Sequence, residues 1–466
     1  MKRNSRSILA GLIVLAFVSL ACGISVPSGT TIDNAATAVA GTVAALAGTA
    51  ESLITAIPHD LTLTPAPGEE LPTLPPLIEA APLRVSFAAP DGSLYTWAEG
   101  MGAAVQLVPP SGVCCSYVSP DGSMIAFTRY TDYQFVALEV INSDGSNRRT
   151  LMDAAAVNAL PRPAESIGSE PGQIAWVPNS HVLAMNTRTL YEGPGLAFSE
   201  SLYLVNADTS AVSTLLNTGS SSWKFFYSPD ATKIAISLPT QVDMYNADGS
   251  VLELTEIYYD FVNTASEYAW VASPVWSADS STLVAGVPPS NPWDEVPGDS
   301  SIYRFAADGM SGEIFLQTQM PNLEGGNVAF SPDQSKFLYF TRFGVPADNT
   351  YTLNIGFFDG TPSAAYANGG FNENPVWSPD NSHFFYAIGS GNTNTPYIGQ
   401  VGAAPVAIAD YSNAGQIQWL DDNRYLVVSQ NAGVSRLLLG TIGSPTGLIF
   451  DSGASSSNFL TFSVNR

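Results

Sequence analysis

The side chains most suited to catalysis or metal binding are few, and their spacing limits the chemistry open to them. The 466-residue chain has three histidines and three cysteines. His181 and His383 each follow a similar Pro-Asn or Pro-Asp turn in distant segments, while His59 lies in a proline-rich stretch. We therefore expect no shared histidine metal site, which argues against histidine-dependent lyase and oxidoreductase chemistry.

Two of the cysteines, Cys114 and Cys115, are neighbours. Adjacent Cα atoms are about 3.8 Å apart across a trans peptide, below the usual disulfide range, so a bridge would close a strained ring. We expect two buried thiols on opposite faces of a strand. A bridge stays open as the alternative, since an exported protein meets oxidising conditions.

Carboxylates dominate the charge of the chain. There are 41 acidic and 17 basic side chains, and the net charge is −24. A field of this sign repels phosphate backbones, so nucleic acid is not an expected partner. Asp294, Glu295 and Asp299 offer oxygen ligands for Ca²⁺, but their spacing matches no recognised loop. We predict no metal site and no cofactor, with calcium as the alternative.

A repeated turn motif organises the chain from about residue 83. An apolar or aromatic residue followed by Ser-Pro-Asp, or a close variant, recurs every 42 to 58 residues and precedes strand-forming stretches. The seven copies begin at Val118, Trp176, Tyr227, Trp276, Phe330, Trp377 and Trp419. Proline presets φ and aspartate bonds its own backbone, so we interpret the repeated Asp as structural rather than catalytic.

This pattern resembles the TolB-like and WD40-like β-propeller repeat family over about residues 83–466. The resemblance implies an all-β propeller of four-stranded blades and says little about function. TolB itself has a further N-terminal domain that is not recognised here, and the chain contains no Gly-x-Ser-x-Gly elbow of the prolyl oligopeptidase type. Neither activity is therefore carried over.

The two ends of the repeat region together predict one more blade. Leu83 to Val108 supplies three strands without the first strand of a blade, whereas Phe459 to Asn465 has a worn motif with no strands after it. We expect them to join into an eight-bladed β-propeller closed by a C-terminal strand, with seven blades as the alternative count. Such closure leaves no free sheet edge.

A column of mostly polar residues is predicted near one mouth of the central channel. Each stands three positions before the apolar residue of a motif, on the innermost strand of its blade. The column is Cys115, Gln173, Lys224, Ser273, Asn327, Asn374, Gln416 and Phe459. Two interpretations remain: a water-filled channel lining, or a polar ligand pocket that contains Lys224 as its one charge.

Long loops expected at the same mouth carry aromatic and acidic side chains. We single out Tyr191 and Trp293 as rim aromatics, because exposed aromatics beside acceptors suit sugar or protein recognition. The alternative is that these loops fold onto the rim.

The N-terminus predicts export. Lys2, Arg3 and Arg6 precede an apolar stretch, and Leu20-Ala21-Cys22-Gly23 resembles a lipoprotein cleavage site, which makes residues 1–22 a signal peptide. Ser19 departs from the aliphatic residue usual there. We predict a lipoprotein anchored through Cys22 and facing the periplasm or the cell exterior. Simple secretion and an uncleaved anchor are the alternatives.

A stalk is predicted between this anchor and the propeller. Residues 23–57 form a spacer with an Ala-rich helix, and residues 58–82 a proline-rich linker that is stiffened toward polyproline II. Apolar residues from Ile32 to Ile57 step by four and three, as in a coiled coil, but no flanking charges specify a partner. We expect a monomer, with a stalk coiled coil as the alternative.

Two functional classes follow. The first is an envelope-anchored or cell-surface, non-catalytic propeller that acts as a protein- or carbohydrate-binding scaffold. The second is a carbohydrate-active enzyme with paired rim-loop carboxylates, which would have to lie roughly 5 to 10 Å apart. Acidic residues are abundant, but none forms a recognisable pair in the sequence.

Overall fold

The computed structural model describes residues 82–192, 197–217, 223–265, 268–290, 298–308, 312–318, 328–342, 350–371, 374–390, 393–408, 414–456, 458 and 460–465. Within these ranges the chain forms eight four-stranded antiparallel sheets, arranged as the blades of a ring. The eight-bladed all-β prediction is confirmed, and the seven-bladed count is wrong.

Blades 1 to 4 are built as follows. Blade 1 contains β1 (Arg84–Ala88), β2 (Leu94–Ala98), β3 (Val105–Val108) and, from the far end of the chain, β34 (Thr461–Val464). Blade 2 contains β4 (Val113–Val118), β5 (Met124–Thr131), β6 (Gln134–Asn142) and β7 (Arg149–Asp153). Blade 3 contains β8 (Gly168–Trp176), β9 (Val182–Leu190), β10 (Ala197–Asn206) and β11 (Val212–Leu216). Blade 4 contains β12 (Lys224–Tyr227), β13 (Lys233–Leu238), β14 (Gln241–Asn246) and β15 (Val251–Tyr258).

Blades 5 to 8 repeat the same order of strands. Blade 5 contains β18 (Val275–Trp276), β19 (Thr282–Val287), β20 (Ser300–Ala306) and β21 (Glu313–Thr318). Blade 6 contains β22 (Ala329–Phe330), β23 (Lys336–Arg342), β24 (Tyr351–Phe357) and β25 (Ala364–Gly369). Blade 7 contains β26 (Val376–Trp377), β27 (His383–Ser390), β28 (Thr393–Gln400) and β29 (Ala403–Ala407). Blade 8 contains β30 (Ala414–Trp419), β31 (Arg424–Asn431), β32 (Val434–Thr441) and β33 (Gly447–Asp451).

Two small elements stand outside the blades. A five-residue helix, α1 (Ala154–Asn158), follows blade 2, and Asp153 caps it by accepting a hydrogen bond from the backbone N–H of Ala156. A short hairpin of β16 (Asn263–Ala265) and β17 (Tyr268–Ala269) lies between blades 4 and 5. In the described part of the chain, no helix is both long enough and apolar enough to cross a bilayer.

The repeated turn has the structural role that its residue types predict. Ser119 donates a hydrogen bond of 2.6 Å to Asp121, which also accepts the backbone N–H of Ser123 at 3.0 Å. The same Ser–Asp bond recurs in four further turns, at Ser228–Asp230, Ser277–Asp279, Ser331–Asp333 and Ser378–Asp380. In one of them, hydrogen bonds from Ser277 and Ser281 lower the pKa of Asp279 to about 2. These carboxylates are therefore held ionised by the turn itself.

The aromatic residue of the motif joins neighbouring blades. In four blades its indole N–H donates to a backbone carbonyl on the first strand of the preceding blade, at 2.8 to 3.0 Å. The pairs are Trp176 to Tyr117, Trp276 to Phe226, Trp377 to Ala329 and Trp419 to Val376. A tryptophan at this position thus fills the space between two sheets and satisfies its one donor there.

The apolar core is divided among the interfaces between blades. Eight clusters of buried side chains each combine residues of two adjacent blades, including the pair formed by blades 8 and 1. First strands of neighbouring blades also contact one another, as β34 does with β4. These strands therefore surround the central channel.

The ends of the chain close the ring as predicted. β34 pairs antiparallel with β1, with Phe462 opposite Phe87. Ser463 lies 3.1 Å from the Ser86 hydroxyl and accepts the backbone N–H of Val118 in blade 2 at 2.9 Å. Phe459 lies outside the described residues, as do residues 1–81 with Cys22, the signal peptide, the spacer and nearly all of the linker.

Candidate functional site

The described residues of the predicted mouth column lie at, or just before, the end of the first strands that is opposite the Ser-Pro-Asp turns. Gln173 and Lys224 line one cavity together, and the cavity wall does not include Ser273, Asn374 or Gln416 among its described residues. Asn327 and Phe459 lie outside the described residues. One sector of the column, at blades 3 and 4, therefore forms a pocket.

This cavity, which we call the mouth pocket, has a volume of about 420 Å³. Its wall draws on blades 2, 3 and 4 and on the segment before blade 5. The lining residues are Tyr130, Pro171, Gly172, Gln173, Asn186, Arg188, Trp223, Lys224, Ala269 and Val271. A cavity of this size accommodates a small molecule or one or two sugar units.

Gln173 is a bridge between two blades. Its side-chain amide donates to the carbonyl of Phe225 at 2.7 Å and accepts the N–H of the same residue at 3.0 Å. Gln416 makes the same pair of bonds with Phe462, at 2.9 and 3.1 Å, and so ties blade 8 to the closing strand. Sequence reasoning placed both glutamines at the channel and missed this backbone-pairing role.

Asn186 shapes the floor of the mouth pocket. Its side chain is fully buried, accepts the N–H of Gln173 at 2.7 Å and donates to the carbonyl of Trp223 at 3.2 Å. The strand pairing is irregular between Pro171 and Ile174, next to this contact. A Cβ at Gly172 would lie 2.5 Å from the Asn186 oxygen, so the close approach requires glycine at this position.

Two cations reach the mouth pocket, and they differ in their partners. Arg188 forms a salt bridge with the buried carboxylate of Glu170. Lys224 is accessible from the channel, and no described residue forms an ion pair or a side-chain hydrogen bond with its ammonium group. Desolvation by the surrounding walls lowers the pKa of Lys224. The described lining therefore carries an uncompensated positive charge and includes no carboxylate.

The wall of the mouth pocket also holds an unsatisfied donor. Trp223 is 2% exposed, and its indole N–H has no hydrogen-bond partner in the described structure. Buried donors are normally paired, so this N–H is an exception within the apolar packing between blades 3 and 4. Trp223, Arg188 and Tyr130 were not predicted, because none belongs to the mouth column. The sequence did contain one signal of this site: Arg188 is the one charged residue of its strand, β9.

The prediction for Cys114 and Cys115 is wrong. Cys114 is exposed, Cys115 is half-buried, and their sulfur atoms lie 2.7 Å apart. The pairing of β4 with β5 shifts register between Val113 and Cys115, which leaves Cys114 as the extra residue of a bulge. A bulge turns two consecutive side chains out of strict alternation, so both thiols reach the same side.

Of the two histidines that the structure describes, His383 begins the second strand of blade 7 and His181 makes a structural contact in blade 3. It lies between Asp121 of blade 2, at 3.0 Å, and Asp208 of its own blade, at 3.2 Å. Among the described residues, no group of three or more His, Cys, Asp or Glu side chains is arranged to hold a metal ion.

The structure describes only one of the two aromatic residues predicted at the rim. Tyr191 is half-buried, whereas Trp293 lies outside the described residues. Of the three acidic residues considered for calcium, only Asp299 is described. The calcium alternative therefore stays untested.

No protein-family model and no curated protein matches the sequence. Among solved structures, the chain is similar to a eukaryotic initiation factor, with a TM-score of 0.50 and 11% identity over 82% of this chain and 98% of the other. It is similar to a prolyl endopeptidase (TM-score 0.47, 10% identity, 73% of this chain), of which it spans 50%. It is also similar to TolB from Acinetobacter baumannii (TM-score 0.32, 15% identity, 62% of this chain and 64% of the other). At such identities the likeness is one of fold, and the chain is an eight-bladed β-propeller with TolB among its structural neighbours.

Proposed function

We propose that this propeller is an envelope-anchored, non-catalytic binding protein whose ligand is a carboxylate-bearing glycan held at the mouth pocket. The observation that carries the proposal is the unpaired ammonium of Lys224 inside a chain of net charge −24. An acidic protein repels anions over most of its surface, so a local cation selects where one can bind.

The polar groups of the mouth pocket suit a sugar acid. Lys224 offers a charge-assisted hydrogen bond to a carboxylate. Tyr130 adds an aromatic face to the wall. Desolvation in the cavity raises the free energy of an unpaired ammonium. A carboxylate that pairs with it there therefore contributes more to the binding free energy than one bound at an open surface.

The mouth pocket is held rigidly before any ligand arrives. The Gln173 bonds to Phe225 join blades 3 and 4, and the buried Asn186 joins the same two blades beneath them. Groups fixed in this way lose little conformational freedom on binding, which favours affinity.

The carbohydrate-active enzyme remains the second candidate class. It requires a carboxylate pair roughly 5 to 10 Å apart. Glu170, next to the pocket, is engaged by Arg188, and the described lining offers no second carboxylate that could complete a pair. No specific observation favours this class over binding.

The test is a binding titration of uronic-acid oligosaccharides against the same oligosaccharides with the carboxylates reduced to alcohols. We expect dissociation constants in the micromolar range for the acidic series and binding at least about tenfold weaker for the reduced series. Lys224→Met should remove the difference between the two series, because it removes the charge that reads the carboxylate.

Lys233→Met is the matched control, since it removes the same charge from the second strand of the same blade. It should leave the preference for carboxylates intact. Equal effects of the two substitutions, or no binding by any acidic oligosaccharide, would refute the proposal. Release of new reducing ends during the titration would establish the enzyme instead.

A further inference from the structure

Cys114 and Cys115 form an unusual pair at the channel end of blade 2. The bulge in β4 frees Cys114 from regular strand pairing and brings the two sulfur atoms to 2.7 Å. Thr461 of the closing strand donates a hydrogen bond of 3.0 Å to the Cys114 carbonyl, which holds this backbone in place. The pair is thus built into the closed ring.

The two thiols are chemically unequal. A hydrogen bond from Cys115 lowers the pKa of Cys114 to about 7, whereas the same contact raises the pKa of Cys115. Cys114 is the exposed member of the pair. An accessible thiolate is the nucleophile in thiol–disulfide exchange, and a second thiol at contact distance is positioned to resolve the first product.

We propose that Cys114 and Cys115 are a redox modification site, at which a disulfide-class oxidant converts the vicinal thiols into a vicinal disulfide. The Cys114 thiolate attacks one sulfur of the oxidant, forms a mixed disulfide and releases one thiolate. Cys115 then loses its proton and attacks the Cys114 sulfur, which releases the second thiolate. Two protein thiols are oxidised and the oxidant disulfide is reduced to two thiols, so electrons and protons balance.

This site borders the mouth pocket but does not depend on the proposed ligand. Tyr130 lines the pocket, and its pKa is raised to about 12, chiefly by desolvation, with further contributions from Glu170, Cys114 and Cys115. The thiols therefore lie close enough to Tyr130, in one wall of the pocket, to influence its pKa. Their oxidation can be measured without knowing what the pocket binds.

The experiment uses the full chain treated with excess oxidised glutathione, then alkylated and digested with trypsin. No lysine or arginine lies between Arg84 and Arg129, so the peptide Val85–Arg129 contains both cysteines and separates them from Cys22. We expect this peptide to lose two hydrogens and to resist alkylation. Prior reduction should restore two alkylation sites.

Single substitutions test the order of the steps. Cys115→Ser should accumulate a mixed disulfide on Cys114. Cys114→Ser should react with oxidised glutathione at least about tenfold more slowly, because the remaining thiol of Cys115 is less accessible and burial raises its pKa. Three outcomes would overturn the proposal: two alkylatable thiols after oxidation, two glutathione adducts on one peptide, or equal rates in the two variants. Peptide mapping of the wild-type protein shows whether the vicinal disulfide forms even if a variant fails to fold.

Discussion

Two regions on the inner strands of the ring differ in how their polar groups are satisfied. At the closing seam, which we define as β1, β34 and their contacts with blades 2 and 8, Ser463 bonds to Ser86 and to the Val118 N–H. The side chain of Asn465 there accepts the N–H of Arg84 at 2.8 Å. At the mouth pocket, no described residue pairs with the ammonium group of Lys224, and the buried indole N–H of Trp223 has no hydrogen-bond partner among the described residues. Satisfied groups hold the ring together at the seam, whereas the unpaired ammonium of Lys224 is the basis of the proposed ligand site.

The largest expected effect comes from breaking the seam. Deletion of Phe459–Arg466 removes β34 and exposes the edge of β1. It also removes the buried side chains of Leu460, Phe462 and Val464, each of which contributes about 1.5 to 3 kcal/mol on burial. We expect a loss of more than about 5 kcal/mol in unfolding free energy, measured by chemical denaturation, together with aggregation in size-exclusion chromatography. A truncated protein with unchanged unfolding would show that the seam does not stabilise the ring.

The two glutamine bridges allow a direct comparison of the regions. Gln416→Ala at the seam and Gln173→Ala at the mouth pocket each leave a backbone N–H and a carbonyl without their partner. Both should lower the unfolding free energy by about 2 to 4 kcal/mol, since each orphaned buried group costs about 1 to 3 kcal/mol. Only Gln173→Ala should also weaken binding of acidic oligosaccharides. Equal binding by the two variants would mean that the pocket does not need this bridge.

The difference between these regions also marks what the sequence could predict. Turn chemistry is local, so the Ser-Pro-Asp motif at Ser228 and its repeats predicted the strands, and the incomplete blade at Leu83 predicted the closure. The bulge at Cys114 was missed because it depends on the register in which β4 pairs with β5, which the sequence of β4 alone does not determine. Arg188 was missed because it reaches the pocket from β9, a second strand. The spacing of the repeats does not indicate which second-strand residues lie near the channel.

A third region tests whether every unsatisfied polar group marks a ligand site. Glu256 lies on β15, the outermost strand of blade 4, is 2% exposed, and neither carboxyl oxygen has a hydrogen-bond partner in the described structure. Desolvation, with smaller contributions from Glu253 and Asp308, raises its pKa to about 7. Folding therefore favours the protonated form, and its contribution to stability is present below about pH 4.5 and declines as the pH rises toward 7.

Glu256→Gln should remove this dependence. At pH 8 we expect the variant to be about 1 to 2 kcal/mol more stable than the wild type, because a neutral amide replaces a buried charge. At pH 4.5 the two should unfold alike in thermal melts. Binding of acidic oligosaccharides should be unchanged at both pH values. A stability gain that does not depend on pH would contradict the assigned titration, and a loss of binding would extend the ligand site to this strand.

The smallest effect is expected at the centre of the proposed site. Lys224 makes no described ion pair, and its side chain is accessible from the channel, so Lys224→Met removes no contact that stabilises the fold. Its unfolding free energy should stay within about 0.5 kcal/mol of the wild type, as for a surface substitution without partners. The same variant should lose the preference for carboxylates. A destabilisation as large as that of Gln416→Ala would place Lys224 with the seam, as a residue that holds the ring together.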